Sequence, residues 1–168
     1  MTPTVSIPRG VRAHIRWMIH KDFDEVMAIE AESDPRPWTE NEMLTALRQR
    51  NVIGMVAQHS DRVVGFMVYE LARDRIVLHK LAVAPEARRS GVGGQMAWKL
   101  VNKLNVHRRV RVDALVRESM TDGHLFLRAQ GFLASRVERE AFDDTGEDGY
   151  AFAYRLDVAE IVTDGVCS

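Results

Sequence analysis

The chain has 168 residues, a size that fits one domain able to bury its own core without a disulfide or metal staple. Its 23 Lys+Arg against 24 Asp+Glu leave a formal net charge of −1, so overall charge does not mark a DNA binder. The single cysteine, Cys167, excludes an internal disulfide framework and a multi-cysteine zinc site, and no apolar run nears the ~18 residues of a membrane span.

Residues 1–11 contain two prolines and no apolar stretch, and read as a loose arm rather than a signal peptide. Residues 158–168 read as a short tail. A reducing cytoplasm fits such a chain. Between the two ends, 12–157 reads as one domain. Ile15, Trp17 and Ile19 alternate over 13–19 as one face of a strand. Phe23, Val26 and Met27 recur at helical spacing over 21–31. Ser33-Asp34-Pro35-Arg36-Pro37 breaks the chain, and Thr39 with Glu42 makes a capping box for a second helix that turns Met43, Leu44 and Leu47 inward.

Two strand-like runs, 52–59 and 63–72, flank the turn Ser60-Asp61-Arg62, and a third run, 75–83, ends before Pro85. The stretch 91–105 reads as a helix with Met96, Leu100 and Leu104 on one face. A strand over 110–116 and a helix over 121–130, stopped by Gly131, come next. Strands over 133–142 and 150–157 finish the pattern, joined by a loop over 143–149 that holds Asp143, Asp144, Glu147 and Asp148. The order β-α-α-β-β-β-α-β-α-β-β is an α/β layout with a mixed sheet of about seven strands and about four helices. The 75–83 strand, its helix and the 110–116 strand make a right-handed crossover.

The stretch Leu81-Ala82-Val83-Ala84-Pro85-Glu86-Ala87-Arg88-Arg89-Ser90-Gly91-Val92-Gly93-Gly94 carries the clearest chemistry. It runs from an apolar strand through a basic, glycine-rich turn into a helix. The helix start leaves N–H donors outside its ladder and carries partial positive charge. Glycines let a phosphate approach those donors, and Arg88 and Arg89 add charge at the rim. The physics suits a pyrophosphate cradle, and equally a glycine-eased helix start with two solvated arginines. No Gly-Lys-Ser/Thr follows, and Met96 stands where a dinucleotide glycine motif needs its third glycine.

Arg88-Arg89-Ser90-Gly91-Val92-Gly93 resembles the Q/R-x-x-G-x-G/A signature of the GNAT acyltransferase superfamily. Leu81-Ala82-Val83-Ala84-Pro85 resembles the family's lead-in strand, and Leu127-Arg128-Ala129-Gln130-Gly131-Phe132 resembles the end of its next helix. The element order matches from about Ala13 to Asp157. Within the superfamily, Arg36-Pro37-Trp38-Thr39-Glu40 and Val116-Arg117-Glu118-Ser119-Met120 resemble segments of the ribosomal-protein alanine N-acetyltransferases. The resemblance implies the GNAT fold and direct transfer of an acetyl group from acetyl-CoA to an amine, with no metal. It places the thioester against Leu81, Ala82 and Val83 of a splayed strand, and the pyrophosphate on the backbone from Arg88 through Arg89, Ser90, Gly91, Val92 and Gly93 to Gly94. It puts Trp38 on the acceptor side, and the residue reads equally as a buried aromatic that anchors the helix pair.

Three polar positions of that family are apolar here. Leu127 replaces the usual tyrosine acid, Leu115 the glutamate base and Met120 the asparagine. Other residues therefore compete for the proton transfers. His79, in strand register with Leu81, is the natural base near neutral pH, or else a sheet-edge histidine. Tyr150 and Tyr154 share a face of the last strand, as candidate acids for the thiolate or as packing. Asp113 shares a face with Leu115, as an acceptor contact or as a salt-bridge partner of Arg109 or Arg111. The acidic loop attracts a cationic acceptor or is a solvated hairpin. Three functions remain in play: acetylation of a protein N-terminal α-amine, acetylation of a small amine, and acyl-CoA binding without turnover. Both monomer and homodimer are compatible with the sequence.

Overall fold

The computed structural model of the chain describes residues 12–156, so the expected arm and tail lie outside the described residues. Seven strands form one sheet in the order β1-β2-β3-β4-β5-β7-β6. The strands are β1 (His14–Trp17), β2 (Val52–His59), β3 (Arg62–Leu71), β4 (Ile76–Val83), β5 (Arg111–Arg117), β6 (Leu133–Phe142) and β7 (Glu147–Arg155). Four helices accompany them: α1 (Phe23–Ser33), α2 (Glu40–Leu47), α3 (Val92–Val101) and α4 (Thr121–Ala129). Strand and helix numbers and their order agree with the pattern read from the sequence. The chain divides into two compact units, one of residues up to Leu71 with Leu78–Leu100, the other of Ala72–Val77 with the residues from Val101 on.

In the first unit, β1, β2 and β3 pair antiparallel. Ser60 and Asp61 join β2 to β3 with φ of 49° and 63°, the two left-handed residues that a tight hairpin matching strand twist requires. Val52, Val56, Phe66, Val68 and Ala82 meet Val26, Ile29 and Met43 of α1 and α2 in a buried core. Gly65 lets α3 come close, since a Cβ there would stand 2.9 Å from the Met96 methyl and 3.0 Å from the Ala82 carbonyl. The first strand ends at Trp17, short of the expected Ile19, and both residues are exposed, at 72% and 54%. The first helix begins later than its apolar spacing suggests. Asp22 takes the Ile19 N–H at 2.8 Å and both Arg16 guanidinium nitrogens, which winds His20–Asp22 into a 3-10 turn before α1.

In the second unit, β5 and β6 each pair antiparallel with β7. Val112, Ala114, Leu127, Phe132 and Phe152 are buried. Gly131, at φ 92°, ends α4 as expected. The Phe132 N–H returns to the Leu127 carbonyl and the Gly131 N–H to the Arg128 carbonyl, both at 3.0 Å, the paired bonds of a left-handed helix cap. β6 is an edge strand whose register slips twice against β7, with Glu140 at φ 50°, a form of edge that resists pairing with another chain. The expected 91–105 helix stops at Val101. Asn105 instead bridges to Arg109 and takes the His107 N–H on its side chain at 2.8 Å, a local bond that competes with helix.

Candidate active site

The end of β4 and the start of α3 lie in the first unit. Pro85–Ala87 forms a 3-10 turn after the strand, and Arg89 and Gly91 curl the backbone with φ of 63° and 93°. No heavy atom lies within 4 Å of a Cβ built on Gly91, so its conformation rather than crowding calls for glycine. The first ladder bond of α3 runs from the Gln95 N–H to the Gly91 carbonyl at 3.0 Å. The N–H groups of Val92, Gly93 and Gly94 precede it, as donors outside the helix ladder. Ser90 is buried and its hydroxyl bonds the Ala87 carbonyl, which closes the turn. Arg88 does not stand free at the rim. Its Nε bonds the Val83 carbonyl at 3.1 Å and a terminal nitrogen reaches Ser33 at 3.3 Å. Arg89 is exposed. Of the strand positions, Ala82 is buried, while Leu81 and Val83 are half-buried.

His79 also lies on β4, exposed, with Nε2 at 3.3 Å from Glu70 Oε2. Glu70 in turn takes Asn51 Nδ2 on its other oxygen at 2.8 Å. The ring therefore has a carboxylate to orient it, and donation of Nε2–H to Glu70 leaves Nδ1 with the lone pair. Next in sequence, Lys80 turns to the α1 side. Its ammonium sits 2.7 Å from Glu30 and 2.8 Å from Asp34, and 4.9 Å from the centre of the Trp38 ring. Trp38 is half-buried against the core, and its N–H bonds Glu30 Oε2 at 2.9 Å.

The remaining candidates lie in the second unit. Register pairs Val116 with Tyr150 and Val112 with Tyr154, so both tyrosines share one face of the β5-β7 ladder. Asp113 pairs with Ala153 and Leu115 with Ala151 on the opposite face. Tyr150 packs on His124 of α4 with ring centres 4.9 Å apart, and Tyr154 on Phe132 at 5.6 Å. Asp113 Oδ2 is held by Arg111 at 3.1 Å and Arg75 at 3.3 Å. Arg109 is likewise engaged, on the Ala72 carbonyl.

Acidic residues over 143–149 are largely neutralised within this unit. β7 begins at Glu147, so the loop is shorter than expected. Arg117 bonds both Asp144 oxygens at 2.9 Å and reaches Glu147 at 3.4 Å, and Asp148 takes Arg139 and the Glu140 N–H. Hydrogen bonds from Ser119 and then Arg117 hold the Glu147 carboxyl below its ordinary range. Of the two readings of this loop, the geometry favours the hairpin, since three of its four acids are paired within the unit. Of the three apolar replacements, Leu127 is buried, Leu115 is 40% exposed and Met120 lies half-buried at the start of α4.

A family model described as "Acetyltransferase (GNAT) family" matches residues 16–132, most of the chain. The chain belongs to the acetyltransferase (GNAT) family. It is therefore an acyltransferase, and the matched span contains the Arg88–Gly94 turn, Lys80 and His79. Solved GNAT-like structures share its fold. Ard1 from Thermoplasma volcanium superposes with a TM-score of 0.77 at 23% identity, over 88% of this chain and 99% of that one. A ribosomal-protein-alanine N-acetyltransferase from Brucella melitensis gives 0.68 at 19%, over 85% and 99%. NAA60 from Arabidopsis thaliana, in complex with acetyl-CoA, gives 0.74 at 13%, over 86% and 100%. No curated protein sequence matches significantly.

Among the described residues of this GNAT chain, no helix is long and apolar enough to cross a membrane. Sequence reasoning passed over Glu30, Lys80 and His124. Glu30 and Lys80 belong to elements whose apolar period drew attention to their neighbours, and their pairing spans fifty residues. The Nε2 of His124, 2.8 Å from the Arg117 carbonyl, and its contact with Tyr150 need the β5-β7-α4 arrangement to become visible.

Proposed function

We propose that the chain transfers an acetyl group from acetyl-CoA to a primary amine, and that the amine is the α-amine of a protein N-terminus. One observation carries the reading: the left-handed turn at Arg89 and Gly91 that delivers the N–H groups of Val92, Gly93 and Gly94 ahead of the α3 ladder. Such donors suit a pyrophosphate, with Arg89 at the rim and Arg88 bracing the turn. Family membership supports acetyl transfer, and the acetyl-CoA complex of the NAA60 fold relative supports the donor.

In this reading a neutral amine attacks the thioester carbonyl beside Leu81, Ala82 and Val83. A backbone N–H there stabilises the oxyanion, and the C–S bond breaks as the thiolate leaves. His79, oriented by Glu70, takes the amine proton at Nδ1. The leaving thiolate takes up a proton, for which Tyr150 and Tyr154 are the candidate donors read from the sequence. Trp38 forms the acceptor wall. Amine chemistry favours α-amines: neutralising a lysine of pKa ~10.4 at pH 7 costs ~4.6 kcal/mol, an α-amine of pKa ~8 only ~1.4. An enzyme with Leu115 and Leu127 in place of polar groups is better matched to the easier amine.

Mass spectrometry of peptides with Ala, Ser, Met or Gly N-termini, with and without internal lysine, alongside spermidine, tests the proposal. Acetylation confined to α-amines is the expected result. Acetylated spermidine alone would move the acceptor to small amines. Saturable acetyl-CoA binding without any product would favour a binding module, the reading that Leu115, Met120 and Leu127 motivate.

A further inference from the structure

The segment between α1 and α2 has every backbone donor accounted for. Asp34 N–H bonds the Glu30 carbonyl at 3.2 Å, and Arg36 N–H bonds Asp34 Oδ1 at 2.9 Å. Trp38 N–H bonds Glu30 Oε2 at 2.9 Å, and Thr39 N–H bonds Glu42 at 3.2 Å. The other two positions, Pro35 and Pro37, have no N–H and a fixed φ. Three of these four donors end on side-chain carboxylates, those of Asp34, Glu30 and Glu42. Glu30 is 1% exposed, and burying a carboxylate is costly unless a cation pairs with it. Lys80 meets both, at 2.7 Å and 2.8 Å, and lies over the Trp38 ring as well. One ammonium thus neutralises two of the three carboxylates that fasten the loop, and touches the side chain the loop presents.

We propose that Lys80 is a positioning residue for the acceptor: through Glu30 and Asp34 it holds the 34–39 loop and sets where Trp38 stands. This rests on the reading that Trp38 forms the acceptor wall. Loss of the ammonium leaves Glu30 buried without its cation. An unpaired buried charge is costly, and relief by side-chain movement or entry of water weakens its hold on the Trp38 N–H.

The test compares wild type, Lys80→Met, Lys80→Arg and Trp38→Ala. Steady-state kinetics are run with an α-amine peptide and acetyl-CoA, and amide hydrogen exchange at Arg36 and Trp38 is followed without substrates. Lys80→Met is expected to raise the acceptor KM about tenfold with the acetyl-CoA KM unchanged, and to speed both amides at least about tenfold. Lys80→Arg, which keeps the charge, is expected to restore most of both. Unchanged exchange, an unchanged acceptor KM, or a parallel rise in both KM values would each overturn the proposal. If Lys80→Met does not fold, the double variant Glu30→Gln/Lys80→Met removes both charges, and the same selective rise is required of it. Trp38→Ala separates the two levels. A raised acceptor KM there, with none in Lys80→Met, overturns only the role of Lys80. No change in either removes Trp38 from the acceptor site and this proposal with it.

Discussion

Tyr69 is fully buried on β3, and its hydroxyl has no partner among the described residues. Burial pushes its pKa up to about 12. An unfulfilled buried hydroxyl opposes folding, so Tyr69→Phe is expected to stabilise by about 1 kcal/mol in urea unfolding. The same change alters the alkaline limb. Above pH ~10 the unfolded chain ionises this tyrosine while the folded chain does not, so stability falls until about pH 12, and the variant lacks that slope. Asp22 has the opposite sign. Its carboxyl is held below the ordinary range chiefly by hydrogen bonding to Arg16, against the cost of burial. Its contribution is present above the unfolded pKa of ~3.9 and is lost as pH falls through the folded value. Asp22→Asn is expected to cost about 2–3 kcal/mol at pH 7 and progressively less as the pH falls below ~3.9, read from urea melts across that range.

Elements were legible where local chemistry agreed with their period. The Thr39–Glu42 capping box forms as expected, with both reciprocal bonds at 3.2 Å. So do the Gly131 helix stop and the hairpin after His59. The hairpin turn is two residues rather than three, because Arg62 already pairs with His59. Ser60 and Asp61 both bear a Cβ at positive φ, which costs of order 1 kcal/mol per residue. Replacing Ser60-Asp61 by Asn-Gly is expected to raise stability by about 1 kcal/mol in thermal or urea unfolding, with β2–β3 register unchanged. Ends were misjudged where a side chain intervened from elsewhere. Asp22 delays α1 through Arg16, and Asn105 shortens α3 through Arg109. Neither partner is visible in a hydrophobic repeat.

At the scale of the molecule, membership of the GNAT family makes amine chemistry the governing variable. If an α-amine is the acceptor, kcat/KM is expected to rise with pH and level near the amine pKa of ~8, whereas a lysine acceptor would keep rising toward ~10.4. A pH profile on two peptides, one with a free and one with a blocked N-terminus, reads this directly. His79→Ala is expected to lower kcat more than it changes either KM, as a proton-transfer group should.

The linear chain was enough to reveal the order of strands and helices, the Arg88–Gly94 turn and the family it resembles. Each rests on residues close in sequence, where period, capping and glycine conformation act locally. Which polar groups remain available for chemistry was settled only by folding. Asp113 meets Arg75 and Arg111, three of the four acids over 143–149 meet Arg117 or Arg139, and Lys80 meets Glu30 and Asp34. Charged side chains choose partners by distance in space, and burial multiplies the cost of leaving one unpaired. That choice is made between strands and helices, after each has formed.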